Sequence, residues 1–426
     1  MLTNGAVAKP NTALHFGYAD GLRALAVSYV FLYHLMIVAP EWKHHLDLQV
    51  FIIAFDPVDM FFILSGFLLS GPFIKSYLKD GRDFPLVSGY ITARALRALP
   101  MYLLGIVAIS LYLCLVHRPP GLWDFISHLF FLEGFDPATT QTISGPLWTF
   151  AVDIQFYVIL PVFFWFLYKY TRRVPAEKRV AILFATLAAI AALSVLWRYL
   201  AFVLFSPMTW EQEIVYVHQL PGTAYVIAIG MATRAFLETA TPAMRAWIGK
   251  RSWLLIALCI AVRPINVIID THFEQTGALM FHGFHLGALI LALLDFQASI
   301  VGVTLLLALA CSLENPITRL LSSRPFAMAS EISFGFYIYH LTVVTAIVGA
   351  HPQASWPNFF KTAALSLAIL LPLCYLLFRF VESPFLRIKS TVKRSKSTGP
   401  GDLSDVVKAG ATVVDTRTFP GASETA

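Results

Sequence analysis

Charge is scarce in this sequence. Only 13% of its 426 residues are Asp, Glu, Lys or Arg, about half the share found in a soluble domain. With 58% hydrophobic residues and a mean hydropathy of +0.69, that deficit excludes an ordinary soluble chain. Cysteine is scarce too. Cys114, Cys259, Cys311 and Cys374 all lie in apolar runs, none in a CxxC spacing. They read as small buried hydrophobes and say nothing about redox compartment. No His/Cys cluster has metal-ligand spacing, so no metal is expected. The apolar runs do not alternate, which excludes a membrane β-barrel. Internal repeats and matched broken helices in two halves are missing, which weighs against many transporters. No basic stretch precedes a short apolar core at the N-terminus, so no cleavable signal peptide is expected.

What the sequence does have is long apolar runs near the ~20 residues that cross a bilayer as a helix. Ten spans are predicted: 20–39, 57–76, 98–117, 151–170, 179–204, 219–237, 251–269, 284–310, 332–350 and 361–381. The run 284–310 is long and carries Asp295 and Gln297, so a tilted, broken or divided helix is expected there. Basic residues then fix the direction. Lys75, Arg94, Arg97, Arg172, Arg173, Lys250, Arg251, Arg319 and Arg324 fall in alternate connections, whereas the others hold little beyond Lys43, Arg118 and Lys361. By the positive-inside rule both ends are cytoplasmic and the number of spans is even. The same bias explains the net charge of +6 without nucleic acid. The predicted organisation is an all-α polytopic membrane protein. It has a cytoplasmic segment 1–19, a transmembrane domain 20–386, and a tail 387–426 that is first basic and then polar and disordered. Its expected place is a bacterial inner or plasma membrane.

Ionisable residues inside spans are costly and mark function by default. In "GLRALAVSYVFLYHL", Arg23 and His34 share one helix face about 16 Å apart along the axis. Arg23 sits near the cytoplasmic mouth and His34 deep in the membrane, two stations along one passage. Interfacial snorkelling of Arg23 and simple packing of His34 are the structural alternatives. In "DPVDMFFILSGFLLSGPF", Asp59 lies near the outer end, and Ser65-Gly66 is read as a close helix contact. In "ITARALRALPMY", Arg94 and Arg97, at i and i+3, suit the phosphates of a cytosolic anion or anchor the inner face. In "GPLWTFAVDIQFYVILP", Trp148, Asp153 and Tyr157 form a carboxylate–aromatic group suited to a sugar at the outer mouth. Asp153 can equally serve as an N-terminal helix acid. "ISFGFYIYHL" places Tyr337 and His340 near mid-membrane. Arg198, Arg263 and Asp295 are further buried charges, some of which must pair.

Taken in order, "GLRALAVSYVFLYH", "DMFFILSGFLLS", "RALRALPMY", "LWTFAVDIQFYVILP", "ISFGFYIYHL" and "VESPF" resemble the acyltransferase-3 family of membrane-bound acyltransferases, from about residue 18 to 386. The resemblance implies about ten helices, a cytosolic acyl-CoA donor, usually acetyl-CoA, and an acceptor hydroxyl. That acceptor is often on O-antigen, exopolysaccharide or peptidoglycan; some relatives acylate macrolides or other lipophilic products. The family's essential arginine and histidine fall on Arg23 and His34, and its paired arginines on Arg94 and Arg97. Its Glu in WxLxxExxFY falls on the shorter Asp153. Some relatives carry an SGNH-hydrolase-type domain. None is seen here, so the chain is expected to finish the transfer itself or to use a separate hydrolase-type partner. The assignment implied is catalysis by His34, Arg23 and Asp153, and donor binding by Arg23, Arg94 and Arg97. Acceptor binding falls to Trp148, Asp153, Tyr157, Asp59 and His340. His34 acts as base or as transient acyl carrier. The rival class is a transporter with Arg23 and His34 in an ion relay.

Overall fold

The computed structural model describes residues 16–38, 57–79, 81, 84–262, 284–348 and 356–388. Most of these residues are helical, with no strand among them. Lipid offers backbone groups no hydrogen bonds, so apolar runs of this length close theirs internally as helices. Among the described residues, nine helices are long and apolar enough to cross a membrane. They are α1 (Gly17–Val38), α2 (Pro57–Leu78), α3 (Val87–Leu115), α4 (Trp148–Thr171), α5 (Ala176–Phe205), α6 (Leu220–Thr239), α7 (Phe284–Cys311), α8 (Arg324–Val348) and α9 (Trp356–Leu377). The predicted span 251–269 is described only as the apolar helix Ser252–Val262. Its remainder, with Arg263, lies outside the described residues, as do most of the segment 1–19 and the tail beyond Ile388. The chain is a multi-pass integral membrane protein. Large apolar side chains such as Leu115, Leu193 and Leu204 are exposed on α3 and α5, as a lipid-facing surface requires.

Three predicted elements differ from what folds. Run 284–310 is one helix, α7, neither broken nor divided. Its polar interruption is absorbed by an ion pair between Asp295 and Arg198 of α5. The helix predicted over 98–117 begins instead at Val87, so Arg94 and Arg97 stand on α3 itself rather than before it. Its 29 residues span about 43 Å, more than the hydrocarbon core of about 30 Å, and the excess length carries the arginines. Helix α8 likewise starts early, at Arg324.

Packing divides into two cores. One joins the N-terminal half of α1 with α2, α4, α5, α6 and α7. The other joins the C-terminal half of α1 with α3, the start of α4, α8 and α9. The tightest crossing is α2 on α6. A Cβ on Gly66 would stand 2.3 Å from the Ile227 carbonyl oxygen, and one on Gly230 2.3 Å from that of Ile63. Each helix thus presents a glycine to the other's backbone, the close approach that small residues permit in membranes.

The Arg198–Asp295 pair anchors α5 to α7 within the first core. Arg198 is only 3% exposed. It also donates to the Val217 carbonyl at 3.1 Å, while Ser299 donates to Asp59 beside it. Removing one partner strands a buried charge, whereas replacing both with apolar groups is close to neutral. Asp295→Leu is therefore expected to destabilise the detergent-extracted protein by about 3 kcal/mol. Adding Arg198→Met should restore most of the thermal midpoint; equal losses for the single and double variants would show that the pair is not what matters.

Between α3 and α4, at the end that the charge pattern assigns to the outside, Glu133 is fully buried. The Tyr102 hydroxyl lies 2.9 Å from the His128 carbonyl and 3.2 Å from Glu133 Oε1. Burial pushes the Glu133 carboxyl from 4.5 up to about 8 and holds the buried His128 imidazole below 6.5. A raised carboxyl binds a proton in the fold that the unfolded chain has released, so stability falls as pH rises from about 4.5 to about 8. The depressed histidine has the opposite sign, its contribution being lost as pH falls through 6.5. Glu133→Gln isolates the carboxyl: the variant should gain on the wild type in thermal midpoint from pH 5 to 8.5, and a constant difference would refute the burial argument.

Candidate active site

An open-ended cavity of about 140 Å³ lies at the seam of the two cores, walled by α1, α2, α3, α4 and α8. Arg23 reaches it from α1, Arg94 and Arg97 from α3, Asp153 and Tyr157 from α4, and Tyr337 from α8. All but Arg94 are held there by a neighbour. Arg23 donates to Asp20 one turn earlier at 2.8 Å, and the Ser330 hydroxyl donates to the same carboxylate oxygen at 3.4 Å. Arg97 faces Glu382 at 4.0 Å. Glu382 is buried at the end of a π-helical turn, Phe378–Glu382, that follows α9. Such turns recur at functional positions because they re-aim a side chain. Tyr157 donates to Asp153 Oδ2 at 3.5 Å. The Tyr337 hydroxyl lies 2.9 Å from Thr149 Oγ1 and donates to the Pro146 carbonyl at 3.2 Å.

Two groups on these walls are left over. Arg94 Nε and Asp153 Oδ1 are buried without a hydrogen-bond partner. A buried donor and a buried acceptor without partners cost about 1–3 kcal/mol each, so the cavity is prepared for something that satisfies them. Arg23 is paired with Asp20 and Arg97 faces Glu382, so Arg94, with its Nε free, is the planar fork on this wall best placed to take phosphate oxygens.

His34 stands outside this group, near the other end of α1. Its Nδ1 lies 2.8 Å from the Val30 carbonyl and 3.1 Å from Nε2 of His340. His340 is fully buried, and its Nδ1 lies 2.7 Å from the Tyr337 carbonyl. Tyr337 thus joins the two places, its ring on the cavity wall and its carbonyl on His340.

The structure brings together only part of the predicted acceptor group. Asp153 and Tyr157 do not form a separate outer mouth; they share one cavity with Arg23, Arg94 and Arg97. Trp148 is enclosed, packed against Phe62 and His218, and is not on the cavity wall. Asp59 points into the Arg198–Asp295 cluster. His340 is sealed behind Tyr337 rather than open to a ligand. The physical reason is common to all three: helix register decides which side of a span faces a cavity, and an apolar sequence carries little register. Asp20, Thr149, Tyr337 and Glu382 are the residues that sequence reasoning left without a role, and Ser65, read as a helix contact, lines the cavity. Asp20, one turn before Arg23, and Glu382, an acid ending an apolar run, were visible as signals.

Comparison with known proteins agrees with this architecture. A family model described as an acyltransferase domain matches residues 16–379. Peptidoglycan O-acetyltransferase OatA of Listeria monocytogenes is 25% identical over 389 residues, covering 86% of this chain and 55% of that protein. YrhL of Bacillus subtilis is 26% identical over 384 residues, 86% of this chain and 54% of its own. O-acetyltransferase OatA of Staphylococcus aureus is 21% identical over 392 residues, 86% and 56%. The chain spans just over half the length of these relatives. No solved structure matches it significantly. With its ordered motifs, its bundle of apolar helices and a matching model over most of its length, the chain belongs to the acyltransferase-3 family.

Proposed function

We propose that the protein is a membrane O-acetyltransferase. Its donor is a cytosolic acyl-CoA, acetyl-CoA first, and its acceptor is a hydroxyl of an extracytoplasmic carbohydrate at a bacterial inner or plasma membrane. Peptidoglycan is the acceptor to try first, because all three of these relatives carry O-acetyltransferase in their names and two of them name peptidoglycan. The observation that carries the reading is the convergence of Arg23, Arg94 and Arg97 on one cavity whose Arg94 Nε lacks a partner. Donor phosphates at those guanidiniums leave the flexible thiol arm to reach along α1 towards His34, about 16 Å on. The acceptor hydroxyl attacks the thioester carbonyl and the C–S bond breaks. His34 Nε2 takes the hydroxyl proton and returns it to the leaving thiolate, giving an ester and free CoA. Asp153, with Tyr157, orients a polar group of either substrate at the cavity wall.

The test uses membrane vesicles holding wild type or His34→Ala, acetyl-CoA labelled in its acetyl group, and host glycans and lipids. Thioester loss that needs His34, with label in glycan, is expected. Label in lipophilic extract would move the acceptor class, and no turnover by the wild type would overturn the acyltransferase reading.

A further inference from the structure

His340 has no role in any step above, yet it is the only side chain that contacts a ring nitrogen of His34 among the described residues. Two backbone carbonyls fix the protons of this pair. His340 Nδ1 faces the Tyr337 carbonyl at 2.7 Å, and a carbonyl oxygen accepts only, so that nitrogen carries the proton. In the neutral ring, His340 Nε2 is then a bare lone pair. His34 Nδ1 faces the Val30 carbonyl at 2.8 Å and is protonated for the same reason. Its N–H also points at His340 Nε2, 3.1 Å away. The opposite assignment sets lone pair against lone pair at both carbonyls. One tautomer of His34 therefore survives: proton on Nδ1, lone pair on Nε2, the nitrogen with no partner among the described residues.

We infer that His340 is a positioning residue for the transfer reaction, acting through its acceptor nitrogen on His34 Nδ1–H to hold the His34 ring with Nε2 free as the base. The inference rests on the reading of His34 as the general base. The Val30 carbonyl sets the tautomer; His340, as a second acceptor on the same N–H, fixes the ring and stays bonded when Nε2 gains a proton. Its own placement is rigid. It is fully buried, its ring lies parallel to that of Phe336 with centroids 6.4 Å apart, and the Tyr337 carbonyl that orients it belongs to a residue anchored at the cavity wall through Thr149 and Pro146. A neutral acceptor at this position suits the membrane interior, where an unpaired carboxylate is costly.

The test measures kcat and KM for acetyl-CoA with wild type, His34→Ala, His340→Phe and His340→Gln, each purified into lipid nanodiscs. Phe fills the space without an acceptor; Gln restores an acceptor oxygen. His340→Phe is expected to lower kcat about 100-fold or more, by analogy with other orienting partners of functional histidines. Its KM should stay within about threefold, the pattern of an interaction made only in the transition state. His340→Gln is expected to recover kcat to within about tenfold of wild type. A His340→Phe enzyme with wild-type kcat overturns the inference alone. So does a His340→Gln enzyme as poor as His340→Phe with KM raised in both, which is the mark of a packing role. Wild-type turnover that survives His34→Ala, or no turnover at all, overturns the underlying reading and the inference with it.

Discussion

His34→Gln is expected to lower acetyl transfer by about 10³-fold in kcat, within the 10²–10⁴ that a positioned general base contributes. That is about 4 kcal/mol of transition-state free energy. Glutamine is close to imidazole in size and keeps a donor towards Val30 and His340, so helix α1 and its packing on α8 stay as they are. What it lacks is a nitrogen lone pair able to take and return a proton. KM for acetyl-CoA should therefore hold within a few fold, because Arg23 lies about 16 Å away along α1 and Arg94 and Arg97 share its cavity, whose wall does not include His34. The measurement is steady-state transfer in proteoliposomes at saturating donor and acceptor. Transfer retained within tenfold of wild type would remove the imidazole from the chemistry.

The second large effect belongs to the donor. Arg94→Gln combined with Arg97→Gln removes two cationic forks from the cavity. Hydrogen bonds to charged groups contribute about 1.5–3 kcal/mol each, so KM for acetyl-CoA should rise about 10²- to 10⁴-fold. The rate at saturation should change little. A thioester without phosphates, such as S-acetylpantetheine, provides the control: wild type and double variant should use it equally poorly. An unchanged KM for acetyl-CoA, or an equal loss with both donors, would place these arginines in some other task. Glu382 sets the background for this result. Its carboxyl sits 4.0 Å from Arg97 without another partner, so the Arg97→Gln change also leaves that buried acid alone, and Arg94→Gln by itself gives the cleaner donor effect.

Hydropathy and charge bias were enough to read the class, because lipid permits few structures and the permitted ones leave long apolar runs. Span positions followed for the same reason. Their ends did not: a hydropathy window ends α3 where charge begins, whereas the helix continues through Arg94 and Arg97 because the cavity wall receives their side chains. The break expected in 284–310 failed on similar grounds. Asp295 and Gln297 look disruptive in isolation, and only the packing of α5 on α7 brings Arg198 to Asp295. Ordered motifs named the family, since they preserve chemistry at fixed spacing along single helices, as with Arg23 and His34.

What the sequence alone determined, then, is whatever one helix decides for itself: its place along the chain and which residues share its face. What the tertiary structure decided is every relation between helices. It gathered Arg23, Arg94, Arg97 and Asp153 onto one cavity, turned Asp59 and Trp148 away from it, and set His340 against His34 across α1 and α8. The reason is that the rotation of a helix about its own axis is fixed by small contacts such as Gly66 on Ile227 and Gly230 on Ile63, and in a nearly uniform apolar sequence those contacts exist only after the helices have packed.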